Sequence, residues 1–170
     1  MGGTFILRVE DTDQTRFVPG AEEYIIETLK WCGIEPTEGI GFGEGQYAPY
    51  RQSERKQLYK EYAEQLVENG QAYYAFDTPE ELEAMRERLK NESNQAYSIA
   101  TRGSMKNSLT LSEADVKTLM ESGTPYVVRL KVPENQTVVI DDLIRNTVTF
   151  NTNELDDKVL LKADVCLPII

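Results

Sequence analysis

Charged and hydrogen-bonding side chains are densest over Arg8-Val9-Glu10-Asp11-Thr12-Asp13-Gln14-Thr15-Arg16. The run closes an alternating segment, Thr4 to Val9, so it falls at the C-terminal end of an expected strand, where open α/β sheets bind ligands. Alternation with period two puts Arg8 and Glu10 on one face. There Glu10 can offer a carboxylate to a ligand ammonium, while Arg8 orients it or meets an anion. The ordinary alternative is a salt-bridged strand end, because surface ion pairs are common and strands often end in Asp-Thr-Asp-like turns. Asp11 and Asp13 could together bind a magnesium ion, yet nothing near them in sequence cradles phosphate.

Two further sets have types that suit chemistry. Gly39, Gly41, Gly43 and Gly45 have the spacing of a phosphate loop. They follow a helix instead of a strand, and no Lys-Ser or Lys-Thr opens a helix after them, so a flexible connector accounts for them better. Tyr97, Arg102 and Lys106 lie in a stretch, Ser93 to Leu111, that has no acidic residue. One aromatic face and two cations are the minimum for touching a single-stranded RNA end, and two positive charges supply little phosphate affinity, so an ordinary polar loop is the competing reading. The chain has no histidine, which removes the commonest general base and metal ligand. With only Cys32 and Cys166 besides, no metal site and no disulfide framework is expected.

These residues need a scaffold. The 170 residues, 40% hydrophobic, can bury one sizeable core or two small ones, and a net charge of -11 argues against nonspecific attraction to nucleic acid. No run of about 18 apolar residues occurs and the first residues lack a signal-peptide layout, so no membrane association and a cytoplasmic location are expected. A helix is expected on Ala21, Ile25, Leu29 and Cys32, with Pro19 in its first turn and Gly33 as its stop. A glycine-rich loop leads to a second helix, capped by Ser53, lined by Leu58, Tyr62 and Leu66, and stopped at Asn69-Gly70. Ala72 to Phe76 reads as a short strand. Thr78-Pro79-Glu80-Glu81 has the signature of a capping box opening a helix to about Lys90, and Ser112 with Asp115 opens another, closed by Gly123. Tyr126 to Val132, Val138 to Ile140 and Val148 to Phe150 alternate as strands. The order suggests an α/β piece carrying an α+β insertion, with a boundary near Ala72.

Read together, GTFILRVEDTDQTRFVPG (Gly3 to Gly20), PYRQSER (Pro49 to Arg55), AYYAFDTPEEL (Ala72 to Leu82), PYVVRLKVP (Pro125 to Pro133) and DKVLLKAD (Asp157 to Asp164) resemble the glutamyl-tRNA synthetase family, in that order and over nearly the whole chain. These are class I enzymes that activate glutamate with ATP and Mg2+ and transfer it to the terminal ribose of tRNA(Glu). The resemblance implies an incomplete Rossmann-type catalytic half over residues 1–72, a tRNA acceptor-binding insertion over 73–155, and the start of the return into the catalytic domain over 156–170. It places Arg8 and Glu10 beside the amino-acid pocket, with Glu10 receiving the glutamate ammonium. It also places Tyr97, Arg102 and Lys106 in the insertion that embraces the acceptor end. Some members hold zinc there, partly through a Cys-x-Cys pair; this sequence has Tyr73-Tyr74-Ala75-Phe76 instead, so no zinc is expected.

The departures from the family pattern carry expectations of their own. Its ATP site needs a histidine-bearing HIGH-type signature and a KMSKS-type loop, and neither is in this sequence, so the chain is expected to be inactive by itself. After Asp164 the usual Gly-x-Pro-Thr-Tyr-His is replaced by Val165-Cys166-Leu167-Pro168-Ile169-Ile170. A non-catalytic acceptor-end binding module is one alternative, and a paralogue glutamylating a modified base of tRNA(Asp) is another. A strand missing from beside Thr4 to Val9 would leave an open sheet edge that invites self-association.

Overall fold

The computed structural model describes residues 3–12, 18–92 and 95–163. They divide into two compact units, one reaching to Lys60 and one beginning at Glu61.

In the first unit, strand β1 (Ile6–Leu7) leads through helix α1 (Ala21–Trp31) to strand β2 (Glu38–Gly39), which pairs parallel to β1. A parallel pair needs such a crossover, and the helix supplies it. Regular pairing in the expected strand is confined to two residues. Its pairing resumes at Val9, whose N–H donates to Tyr50 O and whose carbonyl accepts from Gln52 N. Thr37 N likewise donates to Phe5 O. Phe5 and Val9 therefore turn their backbone groups to one edge, and by alternation those of Ile6 and Arg8 face the other, where no described strand lies.

α1 starts at Ala21, two residues after Pro19, which is therefore not in its first turn. Gly20 is its N-cap with φ 80, a left-handed conformation incompatible with a helix interior, so the proline stays outside. Glu22 and Glu23 in the first turn and Lys30 in the last suit the helix dipole. Ser53 does not cap the second helix. It sits inside a 3-10 turn, Gln52–Arg55, that runs into α2 (Lys56–Glu68), and its hydroxyl is used elsewhere. At the far end Gly70 N donates to Val67 O and Gln71 N to Leu66 O, so the glycine at φ 70 closes α2 as its position in the sequence predicts.

The second unit holds a three-stranded antiparallel sheet in the order β3 (Ala72–Ala75), β4 (Val127–Leu130), β7 (Val159–Leu161). Tyr73, Ala75, Met85, Tyr97 and Met105 form its core, with Leu82, Leu89 and Val127 packed against them. Helix α3 (Pro79–Arg88) contributes Met85 and opens with the predicted capping box: Glu81 N donates to Thr78 Oγ1 at 3.2 Å and Thr78 N to Glu81 Oε2 at 2.7 Å. Thr78→Ala is expected to cost about 1 kcal/mol of stability, read by urea denaturation, and no measurable loss would show that α3 does not need its cap.

The acid-free stretch is not an open loop. Ser98 caps a short helix, α4 (Ile99–Arg102), and the chain then returns to bridge Ala75 at Asn107. α5 (Glu113–Glu121) follows with Ser112 as its cap. Strands β5 (Thr137–Asp142) and β6 (Asn146–Asn151) make a separate antiparallel hairpin. No described helix is long and apolar enough to cross a membrane.

Candidate functional site

In the first unit the chain leaving β1 presents Arg8 and Glu10 on one side, as alternation predicts, and in contact with each other. Arg8 Nη2 donates to Glu10 Oε1 at 2.5 Å, and the two side chains are 49% and 43% exposed. The salt-bridged strand end is therefore what forms, and it leaves the carboxylate accessible. Glu10 Oε2 has no hydrogen bond among the described residues, so it can still accept from a ligand ammonium.

The next residues are occupied with holding this end in place. Asp11 accepts from Ser53 N at 2.8 Å and from Ser53 Oγ at 2.5 Å, one bond to each carboxylate oxygen. Buried Thr12 donates to Gln52 Oε1. Burial of Asp11 opposes its charge, but donation from Ser53, with Arg51 nearby, outweighs it and holds the carboxyl below its ordinary range. With the folded value below the unfolded one, this clasp contributes fully above the unfolded value of 3.8 and is lost as pH falls through the lowered one. Ser53→Ala should move the Asp11 titration upward, as read by carboxyl NMR; an unmoved titration would mean the hydroxyl bond is not formed. Asp13, the other candidate magnesium ligand, lies outside the described residues.

Arg51 ties the same end to α1. Its guanidinium takes Glu22 with two bonds, at 2.5 and 3.0 Å, and Glu54 with one at 3.0 Å, which pushes its pKa up. The glycine-rich segment surrounds a cavity of about 510 Å³ lined by Glu44, Arg51 and Glu54 among others. Gly45 leaves room for the Glu38 carboxylate, and its N–H donates to Tyr50 Oη at 2.8 Å. Glu38 is buried, so an acid, and not a ring of free backbone N–H groups, sits in this loop. That is the wrong charge for phosphate.

The structure does not assemble Tyr97, Arg102 and Lys106 into a surface, which corrects their expected placement. Tyr97 is 5% exposed; Arg129 covers its ring at 3.9 Å, and its hydroxyl donates to Asp77 at 3.0 Å and accepts from Asn107 at 2.9 Å. Arg102 is buried too, donating to Val132 O, Asp157 and Glu134. Only Lys106 is exposed, with its backbone N–H bound to Asp77. Composition marked the stretch as polar; the bridge to β3 turned its polar groups inward. The residue that sequence reasoning missed is Asp157, fully buried, whose carboxylate accepts from Tyr73 Oη at 2.7 Å, Arg102 Nη1 at 3.3 Å and Val132 N at 3.1 Å. Burial and this carboxylate push the Tyr73 phenol far above its ordinary value. The available signal was the tyrosine pair at Tyr73-Tyr74, too polar at the hydroxyl for a core strand without a buried acceptor.

The family described as tRNA synthetases class I (E and Q), catalytic domain, matches residues 1–168. The chain belongs to this class I synthetase family. It is 58% identical over 164 residues to the glutamate–tRNA ligase of Amoebophilus asiaticus, a match covering 95% of this chain and 32% of that protein. It is 56% identical over 166 residues to the Cytophaga hutchinsonii ligase, covering 96% and 32%. A solved glutamate tRNA ligase from Elizabethkingia meningosepticum, crystallised with its amino acid, superposes with a TM-score of 0.89 at 49% identity, covering 98% of this chain and 33% of that one. The synthetase chain thus spans about a third of the length of the relatives it matches, and its fold is a partial Rossmann-type α/β catalytic domain. Among the described residues no group of three acidic, cysteine or histidine side chains could hold a metal.

Proposed function

We propose that this chain is the part of a glutamate–tRNA ligase that borders the glutamate pocket and approaches the acceptor end of tRNA(Glu). The observation that carries the reading is the accessible Glu10 carboxylate at the end of β1, in a sequence more than half identical to ligases of that name. Its second oxygen would take the substrate ammonium, and Arg8, already bound to the first, would fix the direction of the carboxylate. Residues 1–72 would serve as the catalytic part, 73–155 as the acceptor-binding insertion and 156–170 as the return.

ATP and Mg2+ belong to the reaction of such ligases, and the residues described here do not fit them. Asp11 is engaged by Ser53 at each oxygen, and the glycine-rich loop buries Glu38 and lines its cavity with Glu44 and Glu54 where triphosphate would need donors. The isolated chain is accordingly expected to bind glutamate weakly and not to adenylate it.

The test is an NMR titration of the chain with glutamate. Shifts should centre on β1 and Glu10 and be at least about tenfold weaker in affinity for Glu10→Gln, which forfeits one charge-assisted bond. Equal binding by both proteins would sink the assignment. With Tyr97 and Arg102 buried, any acceptor-end contact falls to exposed groups such as Lys106, and a labelled acceptor hairpin should bind only at low ionic strength. Among the described residues nothing pairs with the backbone edge at Ile6 and Arg8, which supports self-association by strand pairing, limited by its shortness.

A further inference from the structure

The segment from Tyr50 to Ser53 grips the chain leaving β1 on both sides of Glu10. Before it, Val9 N donates to Tyr50 O at 3.0 Å and Val9 O accepts from Gln52 N at 2.9 Å, so Val9 bridges Arg51 in parallel. After it, Asp11 takes Ser53 N on one carboxylate oxygen and Ser53 Oγ on the other, and buried Thr12 donates to buried Gln52. The gripping segment is itself fixed. Arg51 holds Glu22 on α1 with two bonds, and Tyr50 is buried.

Glu10 lies between these fastenings, and no backbone hydrogen bond joins it to another described residue. Arg8 orients its carboxylate locally, but Arg8 rides on the same short run and is 49% exposed, so the pair cannot place itself relative to the rest of the unit. Placement has to reach Glu10 through the main chain. The peptide between Glu10 and Asp11 is the link, because the Asp11 carboxylate, bound at each oxygen, cannot turn without breaking a charge-assisted bond.

Resting on the reading of Glu10 as the acceptor of the glutamate ammonium, we propose that Ser53 is a positioning residue of that site. Acting through Asp11, its hydroxyl and amide fix the main chain at Glu10 and so aim the exposed carboxylate at the substrate amine. A carboxylate aimed in advance loses less freedom when the amine arrives. Loss of the clasp is therefore felt by the amine and by no other group of the substrate.

NMR titrations of the full chain test it. Ser53→Ala should bind glutamate about three- to tenfold more weakly, the cost of ordering one released side chain, while the β1–β2 amides stay protected from exchange. Ser53→Thr keeps the hydroxyl and should restore most of the affinity. Glutarate, which has both carboxylates and no amine, should not distinguish the parent chain from Ser53→Ala. In a Glu10→Gln background, Ser53→Ala should cost nothing further, because the hydroxyl acts through Glu10. A loss that glutarate shares, that adds in full to Glu10→Gln, or that Ser53→Thr does not repair overturns the proposal. So does undiminished glutamate binding by Ser53→Ala when Glu10→Gln is weakened. If Glu10→Gln binds like the parent, or the parent binds no glutamate, the glutamate reading itself fails and this inference goes with it.

Discussion

Asp157→Ala is expected to lower the stability of the second unit by about 3–5 kcal/mol, the cost of removing one partner from a buried charged network. The carboxylate has no exposure and serves three donors from three separate segments: Tyr73 on β3, Arg102 at the end of α4, and the backbone of Val132 beyond β4. Its main chain is equally engaged, with Asp157 N donating to Tyr97 O and Asp157 O accepting from Arg129 Nη1. Without the side chain, the Tyr73 hydroxyl and Val132 N–H are stranded in the interior, while Arg102 retains Glu134 and the Val132 carbonyl. Whole-domain stabilities are of order 5–15 kcal/mol, so the variant should be partly unfolded at ambient temperature. Asp157→Asn keeps an acceptor and should lose less. Urea denaturation followed by circular dichroism decides it, and a loss under about 1 kcal/mol would mean that water can replace this network.

Gly39→Ala should disable the first unit while sparing the second. Gly39 has φ 132, a region open in practice only to glycine, and a side-chain carbon there would overlap the Leu7 carbonyl oxygen and lie 2.8 Å from Leu7 N. Backbone strain alone is worth about 1–3 kcal/mol, and the overlap falls on the strand paired with β2, which cannot yield without separating. The amides of Val9 and Gln52, which join the end of β1 to the loop, should lose their protection from hydrogen exchange, and glutamate-induced shifts at Glu10 should vanish. Gly103→Ala, with nothing within 4 Å of the added carbon, is the harmless control. Protected Val9 and Gln52 amides in the Gly39 variant would refute the argument.

Local signals were read well because their causes are local. The Thr78 capping box, the glycine stop of α2 and the hairpin strands all depend on neighbours within a few residues, and each formed as predicted. The contact of Arg8 with Glu10, two positions apart on one face, is equally local, and it is the salt-bridged alternative that forms. What sequence alone misplaced depends on distant partners. Ser53 has the right type to cap a helix, and it was claimed by Asp11 from 42 residues away. Tyr97 and Arg102 have the right types to meet RNA, and they were drawn inward by Asp77, Arg129 and Asp157. β2 and β7 went unread because two or three residues show no period.

The bond between Tyr73 and Asp157 spans 84 positions of sequence. β4, the middle strand of its sheet, has a neighbour on one side from early in this unit and on the other from its end. During synthesis the early helices can form as they emerge, but the sheet and its buried carboxylate must wait until β7 has cleared the ribosome. Contacts so far apart fold slowly, and chains grow at about 5–20 residues per second. The nascent segment therefore spends several seconds with Tyr73, Tyr97 and Arg102 uncovered, the interval in which a chaperone would be of most use to it.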